Sequence, residues 1–578
     1  MQSFDFTTLT AIVAELRQQW LPARIEQVYQ RDRYTLALAL RTLQHRGWLT
    51  LCWHPQAARL CLGEAPPTHA DTFTFSDQLR HQIKGLALTA LAPLAPWERV
   101  LDLQVAPRPG EAPHFHLYLE IMGKYSNLVL TDAHQQIITV AHQVNAQQSR
   151  VRTVQTGQPY TPPPVLLGEC PRLDEDQTRW QERLSLIPGP LKQQLIKIYR
   201  GVSPMVAQAL LTQAQLPETV ANTDLTPVHW QGLFQAWQAW LKALETEQFH
   251  PGWTSNGYTV LGQGLLEPVG KVNTLINDYY SHGQRREQCQ QLRQQLQQKV
   301  QYHHKKLQQK ALLFQQRLAE SEQSEQYQQQ ADLLMAHSYQ WQAGMTEMVL
   351  TDFETGQPVR IPLRPDKNAI QTAQALYRQH QKLKRAKTVV LPLLENVQAE
   401  LAYLAQIEAS LAQLTNQHQA EDLQALEEIR EELIEQKYLD SPYPRSLRKT
   451  ETFQPHQQAS PSGFEVWIGR NNRQNDYLTF RVATDYDLWF HSQEIAGSHV
   501  LLRVPPGASV EESDLQCAAD WAAYYSQARG SEQVPVIYTQ PKYVFKPKGA
   551  RPGMVVYQQE VVLWGKPSNI PLYLKTSD

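Results

Sequence analysis

The chain has 578 residues, too many for one hydrophobic core, and its length implies roughly three or four domains. Its formal charge of -2 excludes a uniformly basic nucleic-acid binder and moves that question to local patches. Five cysteines (Cys52, Cys61, Cys170, Cys289, Cys517) with no CxxC pair suit neither a disulfide framework nor a zinc ribbon, and fit a reducing compartment.

The opening MQSFDFTTLTAIVAELRQQW has Asp5 and no basic region ahead of an apolar core, so it does not read as a secretory signal. No apolar run is long enough to span a bilayer, and a soluble cytoplasmic protein with no membrane partner is expected. From Asp5 to Leu16 apolar residues recur at helical spacing, after which QVYQRDRYTLALAL and RGWLTLCWH alternate as strands. RVLDLQVAP, HFHLYLEIMG and YSNLVLTD repeat that texture between Pro, Gly and Asp turn signals. Residues 1–170 therefore read as an α+β domain rich in antiparallel sheet, closing in the proline-rich stretch TGQPYTPPPVLLGECPRL.

Residues 171–272 alternate helical periodicity with the breakers Pro188, Gly189, Pro190, Gly201 and Pro204, which predicts short helices on tight turns. Such hairpins either aim helix N-termini at a phosphate or simply pack on one another. Residues 273–440 hold a glutamine-rich basic helix, QRREQCQQLRQQLQQKVQYHHKKLQQKALLFQQRL, and a later heptad seam, Leu394, Val397, Leu401, Leu404 and Leu411, interrupted by Glu408. Together they predict an antiparallel coiled coil. The insertion near 335–370 contains EMVLTDFETGQPVRIPLRPD, a hairpin turning at Thr355 and Gly356. The linkers SPYPRS and QPHQQASPSG precede a compact α+β domain at 450–578.

That last domain contains GRNNRQNDYLTFRVATDYDLWFHSQEIAGSHVLLR at 469–503. His491 and His499 fall on neighbouring strands, yet Asp487, Glu494 and Cys517 complete no recognised zinc spacing, so no metal or other cofactor is expected. Ser498 beside His499 lacks a nucleophile elbow, and no catalytic constellation emerges. The other reading is an RNA surface: Arg470 and Arg473 meet phosphate, and the asparagine-rich turn offers amide donors. In YTQPKYVFKPKGARPGMVVY, Lys542, Lys546, Lys548 and Arg551 interleave with Tyr543 and Phe545, with no acid among them, which suits a backbone and its exposed bases. A solvated, turn-rich loop has the same composition.

This stretch, with VPVIYTQPKYVFKPKGARPGMVVYQQE, resembles the C-terminal domain of the NFACT family, also known as fibronectin-binding protein A-like. EIMGKYSNLVLTD, GVSPMVAQALL and VRIPLRPDKNAIQTAQALYRQHQKLKRA match the family in the same order. The resemblance implies a multidomain α+β architecture: an N-terminal domain, a helix-hairpin-helix module, a long coiled coil with a small β-containing insertion, and a C-terminal RNA-binding domain. It also implies ribosome-associated quality control. Family members bind the large ribosomal subunit carrying stalled peptidyl-tRNA, hold a tRNA (alanine tRNA in bacteria), and promote template-free tailing of the nascent chain. The chemistry belongs to the ribosomal peptidyl-transferase centre, so the protein itself is expected not to be an enzyme.

The family's functional Asp-Arg pair falls on Glu98 and Arg99, and Asp5 and Arg24 also match, which implies tRNA contacts for these four residues. Glutamate at 98 adds a methylene to the expected aspartate and displaces the acceptor. RNA contacts are implied for Arg470, Asn471, Asn472, Arg473, Asn475, Asp476, His491, Gly497, Ser498, His499, Lys542, Lys546 and Lys548. Two other readings compete. Relatives have been described as fibronectin-binding surface adhesins, and helical hairpins also occur in nucleic-acid enzymes.

Overall fold

Asp5 begins the first helix. Its carboxylate accepts from the Thr8 N–H at 2.8 Å and caps α1 (Phe6–Trp20), on which Leu9, Ile12, Val13 and Leu16 form one buried face. The structure, a computed structural model, describes all residues except 68–70, 166, 415–418, 441–454 and 576–578, so the expected SPYPRS linker lies outside the described residues. The chain divides into two units, Met1–Gln284 and Arg285–Asp578.

In the first unit the alternating segments become β1 (Ala23–Asp32), β2 (Thr35–Arg41), β3 (Arg46–Cys52) and β4 (Arg59–Gly63), then α2 (Thr74–Ile83). β5 (Ala87–Pro93), β6 (Val100–Ala106), β7 (Phe115–Glu120), β8 (Asn127–Asp132) and β9 (Ile137–Val140) complete one antiparallel sheet in the order β4-β3-β2-β1-β5-β6-β7-β8-β9. Inward leucines such as Leu38, Leu49, Leu103 and Leu117 pack against α1 and α2, each worth about 1.5–3 kcal/mol relative to exposure.

Four short helices follow: α3 (Gln177–Ser185), α4 (Leu191–Ile198), α5 (Pro204–Gln213) and α6 (Pro227–Thr246). Ser203 and Thr226 cap α5 and α6, and a proline stands at N1 of each, so the breakers end and restart helices rather than kink them. Their core centres on Trp180, Trp230, Trp237 and Trp240. A small sheet of β10 (Gly252–Thr254), β11 (Gly257–Thr259) and β12 (Glu267–Pro268) closes the unit.

α7 (Val272–Glu322) has 51 residues, and its first turns, with Val272, Leu275, Ile276 and Tyr280, join the first unit's core. At about 1.5 Å per residue the helix is about 75 Å long. In the second unit α8 (Ser324–Ala336) and the hairpin β13 (Glu347–Thr351) and β14 (Pro358–Pro362) lead into α9 (Ala369–Gln413), which contains Pro392. α9 runs antiparallel to α7: Ala311 and Phe314 pack with Val390, Leu394 and Val397, while Leu296 and Val300 pack with Tyr403, Leu404 and Ile407. Ile407, not Glu408, fills the seam, and Glu408 turns outward to within 3.9 Å of His304. A further helix, α10 (Gln419–Glu435), adds Leu426, Ile429 and Leu433 at the root of this pair, where the heptads predict only two helices.

The remainder comprises β15 (His456–Ala459), β16 (Glu465–Ile468), α11 (Asn472–Tyr477), a π turn at Leu478–Val482, β17 (Leu488–Ser492), β18 (Val500–Leu502) and α12 (Glu512–Tyr524). β19 (Val534–Thr539), β20 (Val544–Phe545), β21 (Val556–Tyr557), β22 (Val561–Gly565) and α13 (Ile570–Lys575) follow. The sheet order is β15-β16-β18-β17-β19-β22, with β20 and β21 paired separately. Alanines 518, 519, 522 and 523 let α12 lie close on one face, and Trp489, Leu501, Ile537 and Val544 pack on the other. The protein is thus a multidomain mixed α/β chain with a long helix and antiparallel sheets. Among the described residues no helix is long and apolar enough to cross a membrane.

Candidate nucleic-acid interface

In the first unit, a cavity of about 430 Å³ opens where the start of α1, the segment leading into β6 and the turn between α4 and α5 converge; Asp5, Trp97, Arg99 and Gly201 to Pro204 help line it. Asp5 is buried, because its second carboxylate oxygen accepts from the Ser203 hydroxyl at 2.6 Å and so ties α1 to the start of α5. Trp97 sits at φ 62° and packs at a tilt between Phe6 (4.9 Å) and Trp240 (5.6 Å). Gly201, at φ +74°, lies beneath that indole: a Cβ there would stand 2.5 Å from Trp97 Cε3.

This packing fixes the Glu98–Arg99 segment. The Arg99 guanidinium donates to the Phe4 carbonyl at 3.3 Å, its one such bond among the described residues, while the rest of its fork faces the cavity. A half-buried guanidinium with spare donors suits a phosphate oxygen. Arg24, exposed on β1 opposite Arg41, does not line this cavity. Trp97, Gly201 and Ser203 escaped the sequence reading as site residues; the Gly-x-Ser-Pro turn signalled a helix start but not its neighbour.

The C-terminal motif is arranged differently from expectation. The asparagine-rich run is not an open turn: Asn471 caps α11, and Arg470, Asn471, Asn472, Gln474 and Asn475 are all buried. α10 takes up the donors of the first four and of Arg473. Arg470 pairs with Asp422 and, at 3.2 Å, with Glu421. Asn471 and Gln474 both donate to Glu428 (2.7 and 2.8 Å), Asn472 to Glu432 (3.0 Å), and Arg473 reaches Glu431 (3.4 Å) and Glu435 (2.6 Å). The α10 carboxylates hold the donors of Arg470, Asn471 and Asn472, and Asn475 Oδ1 accepts from the His499 N–H, so the RNA contacts expected of these four give way to internal partners.

Gly497 and Ser498 are likewise turned inward. The Gly497 N–H donates to Gln406 on α9 at 3.1 Å and the Ser498 hydroxyl to Gln413 at 3.4 Å, while a Cβ on Gly497 would meet Ser492 and Ser526 at 2.8 and 3.0 Å. His491 and His499 are buried, with rings 5.3 Å apart against Trp489, so their expected RNA contacts are corrected too. His499 Nδ1 lies 2.8 Å from the Thr479 hydroxyl, and its backbone N–H donates to the Asn475 side chain at 3.0 Å. Burial lowers the pKa of both, His491 to about 4, leaving neutral rings at physiological pH. Cys517 lies on the other face of the sheet, and Asp487 accepts from the Thr484 and Val504 N–H groups, so neither joins the histidines.

The late basic run divides. Lys546 pairs with Asp476, and Arg551 lies 3.5 Å from Glu400 and stacks on Tyr403 at 4.8 Å, so acids distant in sequence neutralise both. Lys542, 5.0 Å above the Tyr543 ring, and Lys548 remain exposed beside exposed Phe545. The π turn adds exposed Phe480 and Arg481, and its Val482 packs with Val544, the residue before Phe545. On the helix pair, Lys299, Lys305, Lys306, Lys310 and Arg317 of α7 and Arg378, Lys382, Lys384, Arg385 and Lys387 of α9 lie in stretches free of acidic residues.

NFACT N-terminal and middle domains match residues 5–452, well over half of the sequence. The chain belongs to the NFACT family. The NFACT protein RNA binding domain matches residues 451–559, which covers the motif and Lys542 to Arg551. Two relatives carry the name Rqc2 homolog RqcH. The one from Bacillus subtilis is 29% identical over 98% of both chains, and the one from Streptococcus pneumoniae 27% identical over 97% of both. The solved C-terminal part of a fibronectin/fibrinogen-binding protein from Streptococcus suis is 29% identical, covering 48% of this chain and 95% of that one, with a TM-score of 0.37. In this NFACT protein Lys542, Phe545 and Lys548 stand exposed within the matched RNA binding domain, and the asparagine-rich motif lies inside.

Proposed function

We propose that this NFACT protein is an RNA-binding factor of ribosome-associated quality control. It binds the large ribosomal subunit carrying stalled peptidyl-tRNA, captures a tRNA, alanine tRNA in a bacterial setting, and promotes template-free C-terminal tailing at the ribosome's own peptidyl-transferase centre. The observation that carries this reading is the family match over residues 5–559, including an RNA binding domain, together with similarity over 98% of the chain to a protein named Rqc2 homolog RqcH.

In this reading the Arg99 cavity holds a tRNA phosphate, with Asp5 fixing the cavity wall and Glu98 and Arg24 meeting neighbouring groups of the tRNA. Lys542, Lys548, Tyr543 and Phe545 grip rRNA through charge and stacking, and the acid-free stretches of α7 and α9 add sequence-independent phosphate contacts. No covalent step is assigned to the protein.

The test is affinity capture of the tagged protein from cells at moderate salt, with sequencing of co-purified RNA. Large-subunit rRNA without small-subunit rRNA, plus enriched alanine tRNA, is the expected outcome. Large-subunit rRNA with no tRNA preference would remove the tailing role and implicate Glu98; absence of RNA would overturn the reading and favour the surface adhesin.

A further inference from the structure

Between α10 and α11 two carboxylates, Glu428 and Glu432, meet amides rather than cations, and of these Glu432 keeps a buried oxygen with no partner. Glu432 is 1% exposed, and its Oε1 accepts from Asn472 Nδ2 at 3.0 Å and from the Tyr403 hydroxyl at 2.8 Å. Its Oε2 has no partner, and neither does Oδ1 of Asn472, although both are buried. Two orphaned acceptors thus belong to the two side chains that are already paired through their other atoms. A proton on Glu432 Oε2 resolves this: the acid becomes a donor, and the Asn472 carbonyl is the unused acceptor of the same amide. Protonation thus puts a donor where two buried acceptors stand without one.

The charged groups around Glu432 are engaged elsewhere. On α10, Glu428 accepts from Asn471 and Gln474, while Glu431 and Glu435 hold Arg473. From α11, Asp476 holds Lys546 and the Gly553 N–H. From α9, Glu400 faces Arg551 at 3.5 Å and accepts from the Tyr438 hydroxyl at 3.3 Å. Tyr403 is kept neutral by burial and by Glu432 itself, so it donates.

The geometry points to Glu432 as a neutral carboxylic acid in the joined state, a proton-operated latch between α10 and the RNA-binding domain. This stands whether or not the RNA partners proposed above are correct. Burial raises the Glu432 pKa to about 7, against the pull of Asn472, Tyr403 and Arg473 and with a push from Asp476. The joined state holds a proton that the opened state loses near the ordinary glutamate value of 4.5, so the latch is tightest below that value. It loosens as pH rises through about 7 and is level beyond, with a slope of about tenfold per pH unit inside that window.

Hydrogen exchange of α10 amides in the full-length protein, expressed as protection factors between pH 5.5 and 8, tests this. Wild-type protection should fall about tenfold per unit up to pH 7 and then flatten. Glu432→Gln, which carries its own N–H donor, should give a flat profile and exceed wild type at pH 8. Parallel profiles for the two proteins would overturn the latch. Should the variant fail to fold, carboxyl-13C glutamate labelling of the wild type decides: a protonated carboxyl signal at pH 6 that is gone at pH 8 supports the proposal, and its absence overturns it.

Discussion

The Arg99 cavity and the Arg470 motif use similar residues in opposite ways. In the first, Asp5, Ser203 and the Trp97–Gly201 contact fix the wall so that one guanidinium keeps donors facing a cavity. In the second, guanidinium, amide and serine donors all end on α9 and α10. A run rich in Arg and Asn therefore does not announce a nucleic-acid surface; what matters is whether another part of the chain reaches those donors first.

Removing each arginine should give opposite phenotypes. Arg470→Ala leaves Asp422 buried and unpaired, and should cost about 3–5 kcal/mol of stability, read as an earlier denaturant midpoint for the second unit. Arg99→Ala removes a charged donor from a half-open cavity; it should weaken tRNA binding by about 10–100-fold in a filter or fluorescence titration while leaving the melting curve unchanged. If Arg470→Ala lowers RNA affinity without loss of stability, the distinction drawn between the two sites fails. Gly201→Ala sharpens the comparison from the packing side: its Cβ meets Trp97 and its φ is positive, so about 1–3 kcal/mol of stability should be lost together with Arg99-dependent binding.

The smallest effect belongs to the exposed lysines. Lys542→Ala with Lys548→Ala should lower the slope of log affinity against log salt by about 1–2, whereas Lys546→Ala, whose cation already has Asp476, should change it less. Equal slopes for all three single variants would show that the Lys546 pair does not persist in solution.

Local signals were legible where local physics decides. The alternation in TLALAL and HLYLE marks β2 and β7, the apolar spacing from Asp5 to Leu16 marks α1, and the Asp352 carboxylate accepting from the Glu354 and Thr355 N–H groups makes the turn read at Thr355 and Gly356. The candidate sites were legible only in part. Arg470 meets Asp422 across 48 residues, and nothing within either segment points to the other beyond the complementary charge of EDLQALEEIREELIE and GRNNR. Pro96 marks the Ala95–Glu98 turn, but not that its positive-φ position falls on Trp97, which Phe6, Trp240 and Gly201 hold there from three separate parts of the chain. Ile407 shows the same limit on a smaller scale: the heptad count led to Glu408, and a shift of one position moved that charge to the flank of the seam beside His304.

Pro392 gives α9 a mechanical property. Its ring has no N–H to offer the carbonyl four residues earlier, so this rod lacks one backbone rung and bends most easily at that level. A sideways load on the β13–β14 end would be absorbed there as curvature. The carboxylates of α10 at the root would then feel less torque, and the RNA-binding domain would keep its attitude while the far end follows a moving surface.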